Sequence, residues 1–180
     1  MSRMFKYMPQ TRNGRIALGV AVFLVIAIGL FYWRYHPRSG TVAFTPSYEL
    51  VLKDYNGNDV RMSKFKREIL VVHAWATWCT YCADELKNLA ILKKKYGDNI
   101  EILAPNRAES VYVAKPFTDA LDLGDTMTFL LDPDDAFYKS IGGYAMPETL
   151  FINDRGEVFF HQRGPMNMAE VEAKIAEITK

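Results

Sequence analysis

Cys79 and Cys82 are the only cysteines in the 180 residues, and they stand three apart. They follow the apolar run Ile69-Leu70-Val71-Val72 and precede a long helical pattern. A strand feeding C-x-x-C at a helix start is a layout for thiol redox chemistry. With Cys79 at the helix N-terminus, free N–H groups and the helix dipole favour its thiolate, the form that attacks disulfides. Cys82, one turn later on the same face, is placed to close a disulfide and to resolve a mixed disulfide at Cys79. Two other readings compete. Half of a zinc site needs further ligands, and the sequence has no second C-x-x-C and no H-x-x-x-H. A static disulfide closing so short a loop removes little entropy from the unfolded chain.

The elements that must position these thiols follow from periodicity. Residues 69–74 read as a strand buried on both faces. Residues 79–96 read as a helix with Cys82, Leu86, Leu89, Leu92 and Tyr96 in one stripe, and with Lys93, Lys94 and Lys95 before a Gly97 stop. Residues 100–104 return as a parallel strand. Before this unit, Asn56-Gly57 between residues 48–53 and 59–63 signals a β-hairpin. After it come a helical segment over 108–121 and a short strand near 127–131. Asp132 as N-cap and Pro133 at the first helical position start another helix, which Gly142-Gly143 ends. Residues 148–153 and 158–162 form a second hairpin. Asn167 and Glu170 cap the last helix, whose Val171, Ile175 and Ile178 share a face.

Trp75-Ala76-Thr77-Trp78-Cys79-Thr80-Tyr81-Cys82, with Glu85 three residues further on, resembles the membrane-anchored thioredoxin-like thiol–disulfide oxidoreductases of the TlpA/ResA type, a group that includes the cytochrome c maturation reductants. Tyr144-Ala145-Met146-Pro147-Glu148-Thr149 is similar to the cis-proline loop of that group. The resemblance covers residues 48–180. It implies an α/β thioredoxin fold with an N-terminal β-hairpin and a central insert. It also implies that Cys79 is the nucleophile and Cys82 the resolving thiol, and that Pro147 is a cis-proline. Trp78, Met146 and Pro147 are then expected to receive an extended protein substrate as an added strand. Trp78 is expected at the surface, whereas Trp75 is equally a core aromatic. Glu85, Glu148 and His73 are the candidate proton carriers. His73 stands where thioredoxin itself has a buried aspartate, and it is either a base for Cys82 or a strand histidine bonded to a carbonyl. Glu148 matches an acid found in the cytochrome-maturation branch. The Thr80-Tyr81 pair departs from the Pro-containing pairs common in the group. A reducing potential nearer about −270 mV than about −120 mV is expected.

Net charge is +1, but residues 1–38 carry six Lys/Arg and no acid, whereas residues 39–180 carry 16 Lys/Arg against 21 Asp/Glu. The basic character therefore belongs to a targeting segment, and nothing suggests nucleic-acid binding. Residues 16–33 run without charge or proline, close to the ~20 residues that span a bilayer, and end in Tyr32-Trp33-Arg34. The expected organisation is a basic cytoplasmic N-terminus over 1–15, a single transmembrane helix over 16–35 and a linker over 36–47. A catalytic domain over 48–180 then lies on the outer, extracytoplasmic or periplasmic, side of the cytoplasmic membrane.

The functional expectation is reduction of extracytoplasmic protein disulfides, such as the haem-site cysteines of apocytochrome c. The electrons would come from a membrane thiol reductase, with no cofactor beyond the redox-active cysteine pair. The alternatives are an oxidising or general disulfide-exchange protein, and a copper chaperone on the same fold with His161 as third ligand. A peroxidase of the redoxin group would carry threonine where Ala76 stands.

Overall fold

The computed structural model describes residues 16, 20–28, 50–65 and 69–179. The chain divides into two compact units, residues 1–40 and 41–180. In the first, residues 20–28 are helical with exposed apolar side chains. Among the described residues, no helix is long and apolar enough to cross a membrane. Half of the span expected over 16–35, and the whole linker over 36–47, lie outside the described residues.

The second unit is a seven-stranded mixed sheet in the order β2-β1-β5-β4-β3-β6-β7. Its strands are β1 (Val51–Asp54), β2 (Asp59–Arg61), β3 (Ile69–Ala74), β4 (Ile100–Arg107), β5 (Thr128–Asp132), β6 (Glu148–Asn153) and β7 (Val158–Arg163). The helices are α1 (Cys82–Tyr96), α2 (Val111–Ala120), α3 (Ala136–Ser140) and α4 (Met168–Ile178). β3 runs parallel to β4 and antiparallel to β6, and β4 runs parallel to β5. Every residue of β3 is buried, because each of its faces meets a separate apolar cluster. Ile69, Val71 and Trp75 join Leu86, Leu89 and Leu92 of α1 and Val171 and Ile175 of α4. Leu70, Val72 and Ala74 join Leu150, Ile152, Phe137 and Tyr138 on the other face. That two-sided burial is why the run reads as continuous rather than alternating.

The Asn56-Gly57 turn forms as expected. Gly57 adopts φ +84°, a conformation that favours glycine, and the Asp54 carboxylate accepts the Asn56 and Asn58 N–H groups. Asn167 and Glu170 make a reciprocal capping box on α4.

Two helix starts differ from expectation. α1 begins at Cys82, not at Cys79, because residues 77–81 form turns that close through Cys79 N–H to Ala76 O and Cys82 N–H to Cys79 O, both 3.2 Å. α3 begins at Ala136 after Asp135, not directly after Asp132. Asp132 is still the cap in a chemical sense. From the end of β5 its buried carboxylate accepts the N–H groups of Phe137 and Tyr138 at 3.1 and 3.0 Å. Sequence proximity suggested a local cap, but the chain makes a turn first and the side chain reaches over it.

Asp132→Ala strands those two buried donors. It is expected to lower stability by roughly 1–3 kcal/mol in urea unfolding. An unchanged midpoint would show that α3 is held by packing alone.

Candidate functional site: the Cys79–Cys82 disulfide and its loops

The two cysteines are joined as a disulfide, with 5.4 Å between Cα atoms. Cys79 lies in the turn before α1 and Cys82 is its first residue. Cys79 keeps 6% of its surface exposed and Cys82 none, so an incoming group reaches Cys79 first. The flanking Trp78 and Tyr81 are 59% and 57% exposed. Trp75 is fully buried as a core residue. Its indole N–H donates to the Ala104 carbonyl at 3.0 Å, and its ring stacks on Phe117 at 5.5 Å.

The sheet extends past β3 to hold this turn. Trp75 bridges to Asn106, its N–H donating to Pro105 O at 3.1 Å and its carbonyl accepting from Arg107 N–H at 2.8 Å. Beyond it, the Glu109 carboxylate accepts the Thr77 N–H at 2.9 Å, the Thr77 hydroxyl, and the Asn106 side-chain amide at 2.7 Å. Glu109 and Asn106 have no place in the sequence reading, and Thr77 enters it within the cysteine motif with no role assigned. A glutamate shortly after a strand carries no local signal, and its partner stands 32 residues away.

Arg107 is a second such residue. It pairs with Asp135 at 2.9 and 3.1 Å and lies 3.9 Å from the Tyr138 ring centroid and 6.0 Å from that of Trp78. Its pKa is raised, first by the hydrogen bond to Asp135.

His73 is completely buried on β3, two residues before Trp75. Its Nδ1 lies 2.9 Å from the Thr149 hydroxyl and 3.6 Å from Glu85 Oε2. Its Nε2 has no partner among the described residues. The histidine thus meets a hydroxyl and a carboxylate rather than the carbonyl considered from sequence. Burial pushes it down to about 3, so it is neutral at neutral pH and a poor base. Glu85 is also buried, and its Oε1 accepts the Met166 N–H at 2.7 Å. Burial pushes Glu85 up to about 7, against the lowering effect of that hydrogen bond. Glu85 is therefore the group beside His73 whose proton is exchangeable near neutrality.

The Met146–Pro147 peptide is cis. Met146 packs against the apolar cluster that contains both cysteines. Glu148, which follows, is fully buried and turned into its own loop. Its Oε1 accepts the Tyr144 and Ala145 N–H groups at 2.7 and 2.9 Å, and its Oε2 faces His161 Nε2 at 2.7 Å. His161, the third ligand that a copper site would require, is thus engaged with Glu148. Gly143 passes so close to Tyr138 that an added Cβ would stand 2.6 Å from the ring. Among the described residues, no group of three or more His, Cys, Asp or Glu side chains is placed to hold a metal ion.

A family model described as Redoxin matches residues 40–177. The thiol-disulfide oxidoreductase ResA of Geobacillus kaustophilus is 25% identical over 174 residues, covering 93% of this chain and 98% of that protein. The thiol:disulfide interchange protein DsbE of Allochromatium vinosum is 25% identical over 169 residues, covering 87% and 88%. Among solved structures, a putative DsbE from Chlorobium tepidum superposes with a TM-score of 0.67 at 20% identity, covering 74% of this chain and 95% of that one. These structural neighbours share the thioredoxin-like fold.

The buried pair generates a pH prediction. Folded Glu85 binds its proton more tightly than unfolded Glu85, so its contribution to stability falls as pH rises from about 4.5 to about 7. Folded His73 binds its proton less tightly, so its contribution rises with pH from about 3 to about 6.5. The two slopes oppose each other where the windows overlap. Relative to the parent chain, the stability of Glu85→Gln is expected to climb with pH through the upper window. That of His73→Leu should decline through the lower one. Each slope should approach about 1.4 kcal/mol per pH unit in urea titrations. Parallel profiles for all three proteins would refute the assignment.

Proposed function

Because the chain belongs to the redoxin family, we propose that it reduces disulfides in proteins outside the cytoplasm, with Cys79 and Cys82 as the working dithiol. It is a protein thiol–disulfide oxidoreductase of the ResA/DsbE type. One observation carries the reading: a Cys79–Cys82 disulfide at the end of the central sheet shares an apolar cluster with Met146 of the cis Met146–Pro147 loop.

In the reducing direction the Cys79 thiolate attacks one sulfur of a substrate disulfide. The other substrate sulfur leaves as a thiolate and takes a proton from solvent. The Cys82 thiol then gives its proton to the Glu85 carboxylate and attacks the Cys79 sulfur. The enzyme disulfide forms and the second substrate thiolate is released. The greater exposure of Cys79 supports its role as nucleophile. Glu85 stands three residues along the same helix from Cys82, and its raised pKa suits it to accept and return that proton. His73 stays neutral beside it.

Among the described residues, nothing hydrogen-bonds the Met146 N–H or carbonyl. Met146 thus offers an extended substrate its unpaired N–H and carbonyl, beside Pro147, whose carbonyl is taken by the Gly164 N–H, and with Trp78 as apolar wall. Main-chain pairing tolerates many sequences, which suits an enzyme acting on several proteins. The paired cysteines of a C-x-x-C-H haem site are one such substrate. Glu148 directly after Pro147 supports that choice, since the cytochrome-maturation members that this motif resembles carry an acid there. Electrons would come from a membrane thiol reductase, and the cysteine pair itself serves as the only redox group.

The test is capture of the mixed disulfide. Cys82→Ser is expected to accumulate a covalent adduct with a disulfide-bonded peptide through Cys79, whereas Cys79→Ser should form none. The reverse pattern would exchange the two roles, and no adduct with either variant would sink the function.

Location has its own test. The uncharged run over 16–33, with its basic residues before it, supports an anchor that places residues 48–180 outside the cytoplasm. A single engineered cysteine at Tyr112, in a Cys79→Ser/Cys82→Ser background, should react with a membrane-impermeant maleimide on intact cells. Labelling only after lysis would place the domain inside.

A further inference from the structure

We propose that His161 is a positioning residue for the loop over residues 144–147, acting through the buried carboxylate of Glu148. The inference rests on the reading above that this loop receives the substrate.

Glu148 is the first residue of β6 and directly follows Pro147. Its two oxygens serve different structures. Oε1 accepts the N–H groups of Tyr144 and Ala145 at 2.7 and 2.9 Å, so it holds the loop. Oε2 faces outward along the sheet to β7, where His161 Nε2 lies 2.7 Å away and Arg163 Nε lies 4.0 Å away. From α3, the Tyr138 hydroxyl donates to the Ala145 carbonyl and stands 3.5 Å from Glu148 Oε1. At the far end, the Pro147 carbonyl accepts the Gly164 N–H at 2.8 Å. The residues on either side of Met146 are therefore tied down.

A carboxylate oxygen can only accept, so His161 Nε2 carries the hydrogen, and the bond selects that tautomer. His161 has its pKa lowered, first by burial, with Glu148 opposing and Arg163 adding to the shift. Among the described residues, the neutral ring supplies the one close donor to Oε2. A completely buried carboxylate left with an unmet oxygen is costly, more so than a missing neutral partner. Without His161, its nearest relief is rotation toward Arg163. That rotation withdraws Oε1 from Tyr144 and Ala145 and loosens the backbone that flanks Met146.

The geometry thus gives the outermost strand control over the substrate loop. Among the described residues β7 pairs only with β6, and His161 opposes Leu150 in that register while its ring reaches diagonally to Glu148.

The experiment compares His161→Leu with His161→Gln, whose amide N–H can still donate to Oε2. The first readout is amide hydrogen exchange by NMR, with β3 amides reporting an intact fold. Tyr144 and Ala145 amides should exchange about tenfold faster or more in His161→Leu, and His161→Gln should recover most of that protection. The second readout is reduction of a disulfide-bonded peptide. KM should rise about tenfold in His161→Leu with kcat changing much less, and fall back in His161→Gln. Exchange rates in His161→Leu equal to the parent's would overturn the proposal, as would a Gln variant no better than Leu. A parent chain unable to reduce the peptide would overturn the proposed function instead, and amide exchange would still decide the part played by His161.

Discussion

Among the described residues, four carboxylates accept backbone N–H groups from the disulfide turn, from Met166 before α4, from the start of α3 and from the proline loop. Glu109 takes Thr77, Glu85 takes Met166, Asp132 takes Phe137 and Tyr138, and Glu148 takes Tyr144 and Ala145. Each segment lies where strand pairing or helix bonding stops, so its donors have no ladder partner. Leaving such donors buried and unmet is costly, and charge-assisted bonds to carboxylates are among the stronger ways to meet them. The site is therefore built less from regular structure than from side-chain acceptors that fix loops in place. The disulfide turn, the proline loop and the start of α3 depend on this one kind of bond.

That dependence explains what could be read along the chain. The two-sided strand at 69–74, the Asn-Gly turn and the Asn167–Glu170 cap have local signals, and all three form. The order of elements through the insert was also legible. The start of α1 was misplaced by three residues because the turn before it is held by Glu109, far along the sequence. The partners of His73 come from β6 and α1, and no spacing rule reaches across 76 residues to Thr149. The cis geometry before Pro147 came only through resemblance, since composition does not distinguish the two isomers. His161 reads from sequence as a candidate metal ligand, and its neighbour in the structure is a glutamate that twelve residues and a hairpin separate from it.

His73 and Glu85 form an electrically quiet buried pair. One buried base has lost its affinity for a proton and one buried acid has gained it, so both are neutral at mildly acidic pH. Burying two neutral groups costs less than burying an ion pair, whose desolvation the attraction between charges often fails to repay. Near neutrality, then, Glu85 is the member of this buried pair whose charge changes, when it gives up its proton.

The hairpin β1–β2 attaches to β5 and not to the β3–β4 pair that carries the cysteines. β5 itself belongs to the segment inserted between β4 and α3. The two additions to the thioredoxin-like core are thus one module in space, though β3, α1 and β4 lie between them along the chain. Excising the insert would leave the hairpin with no strand to join, and the exposed edge of β4 would need another cover. In the history of such a chain, the N-terminal extension and the internal insertion are therefore expected to have been acquired together, or the hairpin second.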